Sequence, residues 1–404
     1  MFSIVRVALF ASLFITTTAT AVDINRNSLI RKDIQTVVAG DYNTMIITND
    51  GRLYITNNHM ESSDTNSNLE LITTGVDHAS LGKFSAIIRQ NGNLFYIGEN
   101  YRGSLGFPGV DKLESWSKHP VKRLNTGKTR TIDNTTVVVN DDNELFVFGG
   151  NSNNVISSRD GDVLSPIKVS DHVVDAIASQ IYISYINKKG ELFVKGLYDY
   201  GFGGTGGFTK IDSNVEAIDG GIHHLLYTKI NNDGVKELYA IGGAMQGQLG
   251  VLLDKIAVTF LDNYTEKPIL IASNVKDFAA GGYHSLYVDN KGDLYVSGNN
   301  GNGQLGLGDT TPRILWTKAK SNIQKVFAGW FQSFLIADDG ALWISGNNSQ
   351  GQLTFKSDNI NSYFYGKDIK TNIEKWSFKP IYLEKIRLAE DGLKALSRVK
   401  YENN

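Results

Sequence analysis

An all-β chain whose repeats close into a ring of the propeller kind is the fold that this sequence predicts, on three observations. A leucine recurs in a common setting: Leu53 (GRLYIT), Leu94 (GNLFYIG), Leu145 (NELFVFG), Leu192 (GELFVKG), Leu238 (KELYAIG), Leu294 (GDLYVSG) and Leu342 (GALWISG). The steps are 41, 51, 47, 46, 56 and 48 residues, the period of propellers and other stacked arrays. Each leucine opens a short aromatic or β-branched run bounded by Gly, Asn or Asp, which reads as a strand between turns. No long segment after residue 21 carries the 3.6-residue period of an amphipathic helix.

A second motif precedes each leucine. Its best copy is Gly281-Gly-Tyr-His-Ser-Leu, with counterparts starting at Gly40, Gly82, Asp133, Ser179, Gly220 and Gly329. An eighth copy of this half is read near the C-terminus, in Leu388-Ala-Glu-Asp-Gly-Leu-Lys-Ala-Leu. Eight first halves against seven second halves predict one domain over residues 22–404, closed by strands from both chain ends. Closure removes the exposed sheet edges that invite aggregation. Asp-Gly and Asn-Gly pairs supply the positive φ of tight hairpins. The Gly-Gln-Leu-Gly segments at 247–250 and 303–306, and Gly351-Gln-Leu, are read as turns between blades.

These motifs resemble the regulator-of-chromosome-condensation repeat, whose pattern runs Gly-x-x-His-Ser-Leu, Asp-Gly-x-Leu-Tyr, Gly-x-Asn-x-x-Gly-Gln-Leu-Gly. Residues 281–308 follow it almost throughout and 329–353 follow it well, whereas 131–150 and 178–207 are degenerate. The resemblance implies seven blades, with eight left open by the extra half-copy. Founding members of that family exchange nucleotide on a small GTPase while bound to chromatin. Other members are protein-binding modules, and some secreted bacterial ones inhibit β-lactamases with one propeller face.

Composition narrows the function. Residues 1–21 have the layout of a secretory signal peptide: Arg6 in the n-region, an apolar stretch Val7–Ile15, and Ala19-Thr-Ala21 as the small-residue cleavage site. The apolar run is too short to span a bilayer, so the expectation is a secreted or periplasmic protein without membrane insertion. The chain has no cysteine, which rules out disulfides, thiolate nucleophiles and cysteine metal sites. The formal net charge is −2, and no basic arm precedes the first repeat. Nucleic acid is therefore not an expected partner, since its phosphates need many Lys and Arg.

No motif of a chemical site survives inspection of its context. Gly301-Asn-Gly303-Gln-Leu-Gly306 and Gly201-Phe-Gly203-Gly-Thr-Gly206 both spell GxGxxG, but a dinucleotide site needs that motif between a strand and a helix. The seven histidines show no HExxH spacing, and no Gly-x-Ser-x-Gly elbow occurs. Neither a cofactor nor a metal is expected, and the chain is read as a monomeric non-enzyme.

Specificity is expected in the loop that follows the Gly281 position. In a closed ring, equivalent loop residues fall on a circle around one face. The expected partner contacts are Trp330, Phe331, Tyr283, His284, Tyr42, Asp41, Phe84, Lys83, Tyr182 and His223, with His223 aligned to His284. Aromatic residues and arginine dominate binding hot spots, and Trp330 ranks first because glycine fills its position in other copies. Insertions at 57–68 and 244–274 are further decorations. The function expected is binding of a partner protein through one loop face. Two alternatives accompany it: regulation of a particular enzyme (an extracellular hydrolase or a host small GTPase), and a central-channel enzyme or carbohydrate binder.

Overall fold

The computed structural model describes residues 34–40, 43–56, 69–132, 134–179, 181–197, 200–252, 263–348 and 379–380. These form seven four-stranded antiparallel sheets, so the blade number is seven. The blades span 34–73, 76–117, 128–170, 173–212, 215–273, 275–320 and 323–380. Within each, the strands follow in sequence from A, lining the central channel, to D at the rim. In blade 6 they are Val275–Ala280, His284–Asp289, Leu294–Gly298 and Arg313–Lys320.

The recurring leucines explain why the ring holds. All seven are buried, with Leu342 the most accessible at 3%. Each lies within the first three residues of a C strand, and each packs across a seam onto the next blade. Leu53 lies with Val76 and Leu81 of blade 2, Leu94 with Val138 and Phe146 of blade 3, and Leu145 with Val173 and Ala176 of blade 4. Leu192 and Leu238 do the same toward blades 5 and 6, and Leu294 toward Ile323 and Val326 of blade 7. Burying a leucine contributes roughly 2 kcal/mol, so one leucine per seam is a substantial share of each blade-to-blade contact.

Leu342 plays the same part at the last seam. It packs with Ile344 and Phe334 of blade 7 against Ile34, Val37 and Ile46 of blade 1, and Lys325 Nζ reaches Gln35 O at 3.2 Å. Among the described residues no sheet mixes strands from the two chain ends. Each described copy starts with its own A strand and completes one blade, and blades 7 and 1 meet by packing as at the other seams. The eighth half-copy at 388–396 and the segment 1–21 lie outside the described residues.

Candidate partner-binding face

Successive antiparallel strands place the A–B and C–D loops at one end of the ring and the B–C and D–A loops at the other. The two ends differ in chemistry. Six of the seven B–C loops carry charged residues, among them Asp50 and Arg52, Asp141 and Asp142, Lys188 and Lys189, and Asp338 and Asp339. In the described A–B loops Lys83 is the only charged residue. The A–B/C–D end also holds exposed apolar side chains: Phe84 (41%), Tyr101 (51%), Leu164, Leu252 and Ile314. The described C–D loops at the same end carry Arg102, Asp111, Arg159, Asp160, Asp162 and Asp309, so the charge-poor, aromatic pattern that marks the core of a protein interface belongs to the ring of A–B loops.

The loops of this end are held rigidly. In three C–D turns a buried asparagine accepts from a backbone N–H five residues on: Asn100 from Leu105 at 2.8 Å, Asn151 from Ile156 at 2.9 Å, Asn300 from Leu305 at 3.0 Å. The segment Gly301–Gly306 belongs to such a turn, with Gly303 N–H donating to Asn300 O and Gly306 N–H to Gly303 O. No helix follows it, which accounts for its GxGxxG as turn chemistry. The A–B loops of blades 5 to 7 bond directly to one another: Ile222 N–H to Gly282 O at 3.2 Å, and Gly282 N–H to Trp330 O at 3.2 Å. A ledge fixed before binding loses little conformational freedom on association.

The expected contact residues other than His223 divide into three groups. Lys83, Phe84, Tyr283, Trp330 and Phe331 lie at the face. The Lys83 ammonium sits 5.4 Å from the Phe84 ring centre and 6.0 Å from that of Tyr101. Trp330 and Phe331 have ring centres 6.1 Å apart, and Trp330 covers Gly282. Asp41 and Tyr42 lie outside the described residues. His284 and Tyr182 are fully buried, which removes them from the contact set.

These two buried residues clasp neighbouring blades instead. Tyr182 Oη donates to Gly221 O at 3.0 Å and His224 O at 3.1 Å in blade 5. His224 Nε2 lies 2.8 Å from Ser285 Oγ of blade 6, and His284 Nε2 2.9 Å from Ser333 Oγ of blade 7. Ser285 Oγ donates onward to Gln248 O at 2.7 Å, so it accepts from His224, whose Nε2 carries the proton. His224 thus corrects the alignment of His223 with His284. Blade 5 starts its motif at Gly221, where the N–H donates to His224 O as Gly281 N–H does to His284 O. That shift moves His223 onto the aromatic circle. It is 9% exposed, stacks on Tyr200 at 4.6 Å and meets Tyr283 edge-on at 5.2 Å. Burial pushes its pKa down to about 4, so it is neutral at pH 7. Tyr200 and Tyr101 escaped the sequence reading; an aromatic residue inside an otherwise Gly/Asn-rich C–D turn was the available signal.

Beneath the face runs a channel of about 830 Å³ lined by the A strands. Its charged side chains cap the free edges of these strands. Asp219 accepts Ala280 N–H at 2.9 Å, Asp277 accepts Val326 N–H at 2.8 Å, and Arg130 donates to Ile218 O at 2.9 Å and Asp175 at 3.3 Å. Burial raises Asp219 above the usual carboxylate range and pushes Asp277 up to about 6. Each group serves the scaffold, and among the described residues no cluster of three His, Cys, Asp or Glu has metal-site geometry.

Sequence profiles of the regulator of chromosome condensation (RCC1) repeat match residues 275–304 and 291–336. No curated protein matches the chain at a significant level. Among solved structures, Prp20p from Saccharomyces cerevisiae, described with its binding to Gsp1p and histones, superimposes with a TM-score of 0.63 at 18% identity, covering 76% of this chain and 84% of that one. Yeast RCC1 (Prp20) bound to Kap60 gives 0.62 at 18% identity over 88% and 90%. Human WBSCR16 gives 0.62 at 15% identity over 76% and 87%. At these identities the likeness is one of fold.

Proposed function

Since this chain is a seven-bladed β-propeller of the RCC1-repeat type, we propose that it is a non-enzymatic binding protein whose A–B/C–D face holds a partner protein. The observation that carries this reading is the contrast between the A–B loops at one end of the ring and the B–C loops at the other. One end presents Phe84, Tyr101, Tyr283, Trp330 and Phe331 with Lys83 as the only charge in its described A–B loops, and the other is ringed with charges. The similar yeast propeller is described with protein partners, which supports protein as the class of ligand.

The test is affinity capture from the native source, followed by measured affinity of variants for the captured protein. Trp330→Ala and Phe84→Ala are each expected to weaken binding by about 2 kcal/mol, or roughly 30-fold, as hot-spot truncations do. Reversing the exposed charges of the opposite end, with Lys188→Glu and Lys189→Glu, is expected to leave affinity unchanged. The reverse pattern would refute the assignment of the face. Export by way of residues 1–21 belongs to the same proposal and rests on sequence layout. The captured native chain is expected to begin at Val22, and a chain retaining Met1 would count against it.

A further inference from the structure

The mouth of the channel between blades 5 and 7 offers a guest aromatic rings and hydrogen-bond donors, and no unmatched charge. Tyr200 stacks on His223, Tyr283 meets the edge of His223, and Trp330 covers Gly282 beside them. Trp330 and Tyr200 are half-buried, and neither the Trp330 indole N–H nor the Tyr200 hydroxyl has a hydrogen-bond partner among the described residues. The carbonyls of the ledge, in contrast, already accept bonds. Those of His223 and Tyr283 take the N–H groups of Gly243 and Asn299, those of Gly282 and Trp330 take Ile222 and Gly282 N–H, and Phe331 O takes Asn347 N–H. Asn299 Oδ1, on the neighbouring turn, accepts from Gly301 N–H and Gln304 Nε2. His223 Nδ1 is buried and so meets no guest. In the described A–B and C–D loops of blades 5 to 7 the only charged residue is Asp309, which is held by Arg313 at 2.6 Å. Below the ledge Asp219 accepts Gly220 and Ala280 N–H and faces Arg130, so its charge is matched within the channel wall.

We propose that this mouth binds a proline-rich segment of the partner in the extended polyproline II form. The proposal rests on the partner-binding reading and names the chemistry of that contact. A run of prolines carries backbone C=O acceptors without N–H donors, which matches a mouth whose unbonded groups are donors. Proline rings are compact, apolar and uncharged, and aromatic-lined grooves take such segments in the polyproline II form. Neither side has to be ordered on binding: the ledge is fixed by its own loop-to-loop bonds, and polyproline II is preformed. A guest in β-strand form would bring N–H groups that need acceptors, and the ledge carbonyls already hold bonds. A charged side chain would find no opposite charge in the described loops to pair with.

Small probes test this without the partner. The full chain, labelled with ¹⁵N on its tryptophan indoles, is titrated with acetyl-hexaproline amide, with an acetyl-(Gly-Ser)₃ amide of equal length, and with cellohexaose as a stacking guest that also donates hydrogen bonds. Hexaproline is expected to shift the Trp330 indole signal saturably and to bind about tenfold more tightly than the Gly-Ser peptide, through ring packing and a preformed backbone. Tyr200→Phe keeps the ring and loses the hydroxyl, and is expected to weaken hexaproline binding about fivefold by calorimetry, the size of one hydrogen bond. Trp330→Ala is expected to abolish it. If Trp330→Ala does not fold, the comparison of Tyr200→Phe with the parent chain decides alone. Equal or tighter binding of the Gly-Ser peptide or the sugar would overturn the proposal, as would the absence of any saturable shift or an unchanged affinity in Tyr200→Phe. Should capture of the partner depend on Trp330 while hexaproline fails, the proposal falls and the partner-binding reading stands.

Discussion

The ring is expected to lose most of its stability as the pH falls from about 6.5 to 4, with the buried histidines responsible. Burial holds His224 down to about 3 and His284 to about 4, and desolvation holds the half-buried His78 of the channel wall to about 4, against an ordinary value of 6.5. A group whose pKa is depressed by folding contributes stability above its unfolded value and loses it as the pH falls toward the folded one. At pH 4 each of these three has given up roughly 3 kcal/mol, because every tenfold change in a protonation equilibrium is worth about 1.4 kcal/mol. Folded domains hold only about 5–15 kcal/mol in reserve. The structural cause is visible at His224: Nε2 already donates to Ser285, and Nδ1 is buried without an acceptor, so a second proton has nowhere to bond. Asp277 acts in the opposite sense. Its pKa is raised by folding to about 6, so it favours the fold below its unfolded value and costs stability as the pH rises through 6. That offset is about 3 kcal/mol, and Asp219 adds to it in the same direction, so the histidines prevail only by their number. Thermal unfolding followed at pH 7, 5 and 4 checks the sum. His224→Gln with His284→Gln, which keep a donor toward serine, are expected to flatten the acid limb. An unchanged Tm from pH 7 to 4, or an unchanged slope in the double variant, would contradict the mechanism.

Gly281→Ala is expected to destabilise the ring by about 3 kcal/mol, the upper end of the cost of overpacking a filled core. Its backbone needs no left-handed conformation, so the effect is steric. A Cβ there would stand 2.1 Å from His284 Cε1 and 2.7 Å from Gly329 O, pressed between its own histidine and the loop of blade 7. The histidine ring would have to leave, and the contact with Ser333 would go with it. Gly206→Ala provides the control, since a Cβ at Gly206 meets nothing within 4 Å and its φ is ordinary. Denaturant unfolding is expected to separate the two variants clearly. Equal stabilities would mean that the histidine clasp carries no load.

Much of the scaffold is legible from residues because its cause is repeated. One leucine fills each of seven seams, and a glycine makes room for each histidine clasp, so the period of the sequence is the period of the ring. Closure is less legible: Leu342 does at the last seam what Leu53 does at the first, and only the fold shows that Ile34 and Ile46 complete its contact. The face is partly legible. Trp330, Phe331, Tyr283, Phe84 and Lys83 lie on it. Its circle is ambiguous in blade 5, where the adjacent histidines of Gly221-Ile222-His223-His224 allow two registers and a hydrogen bond selects one. His284 and Tyr182 leave the circle for a related reason. The residue three after the glycine already belongs to strand B, where alternation turns it into the seam. Tyr200 and Tyr101 reach the face from C–D turns, and no comparison of A–B loops reveals them.

The most direct test of the central claim is a hydrogen-exchange footprint of the chain in complex with its captured partner. Partner binding is expected to protect the backbone at 82–84, 100–103, 221–223, 281–283 and 329–331, and to leave the B–C loops at 188–191, 231–235 and 338–341 unchanged. Protection of those B–C loops, with the aromatic end left exposed, would contradict the account.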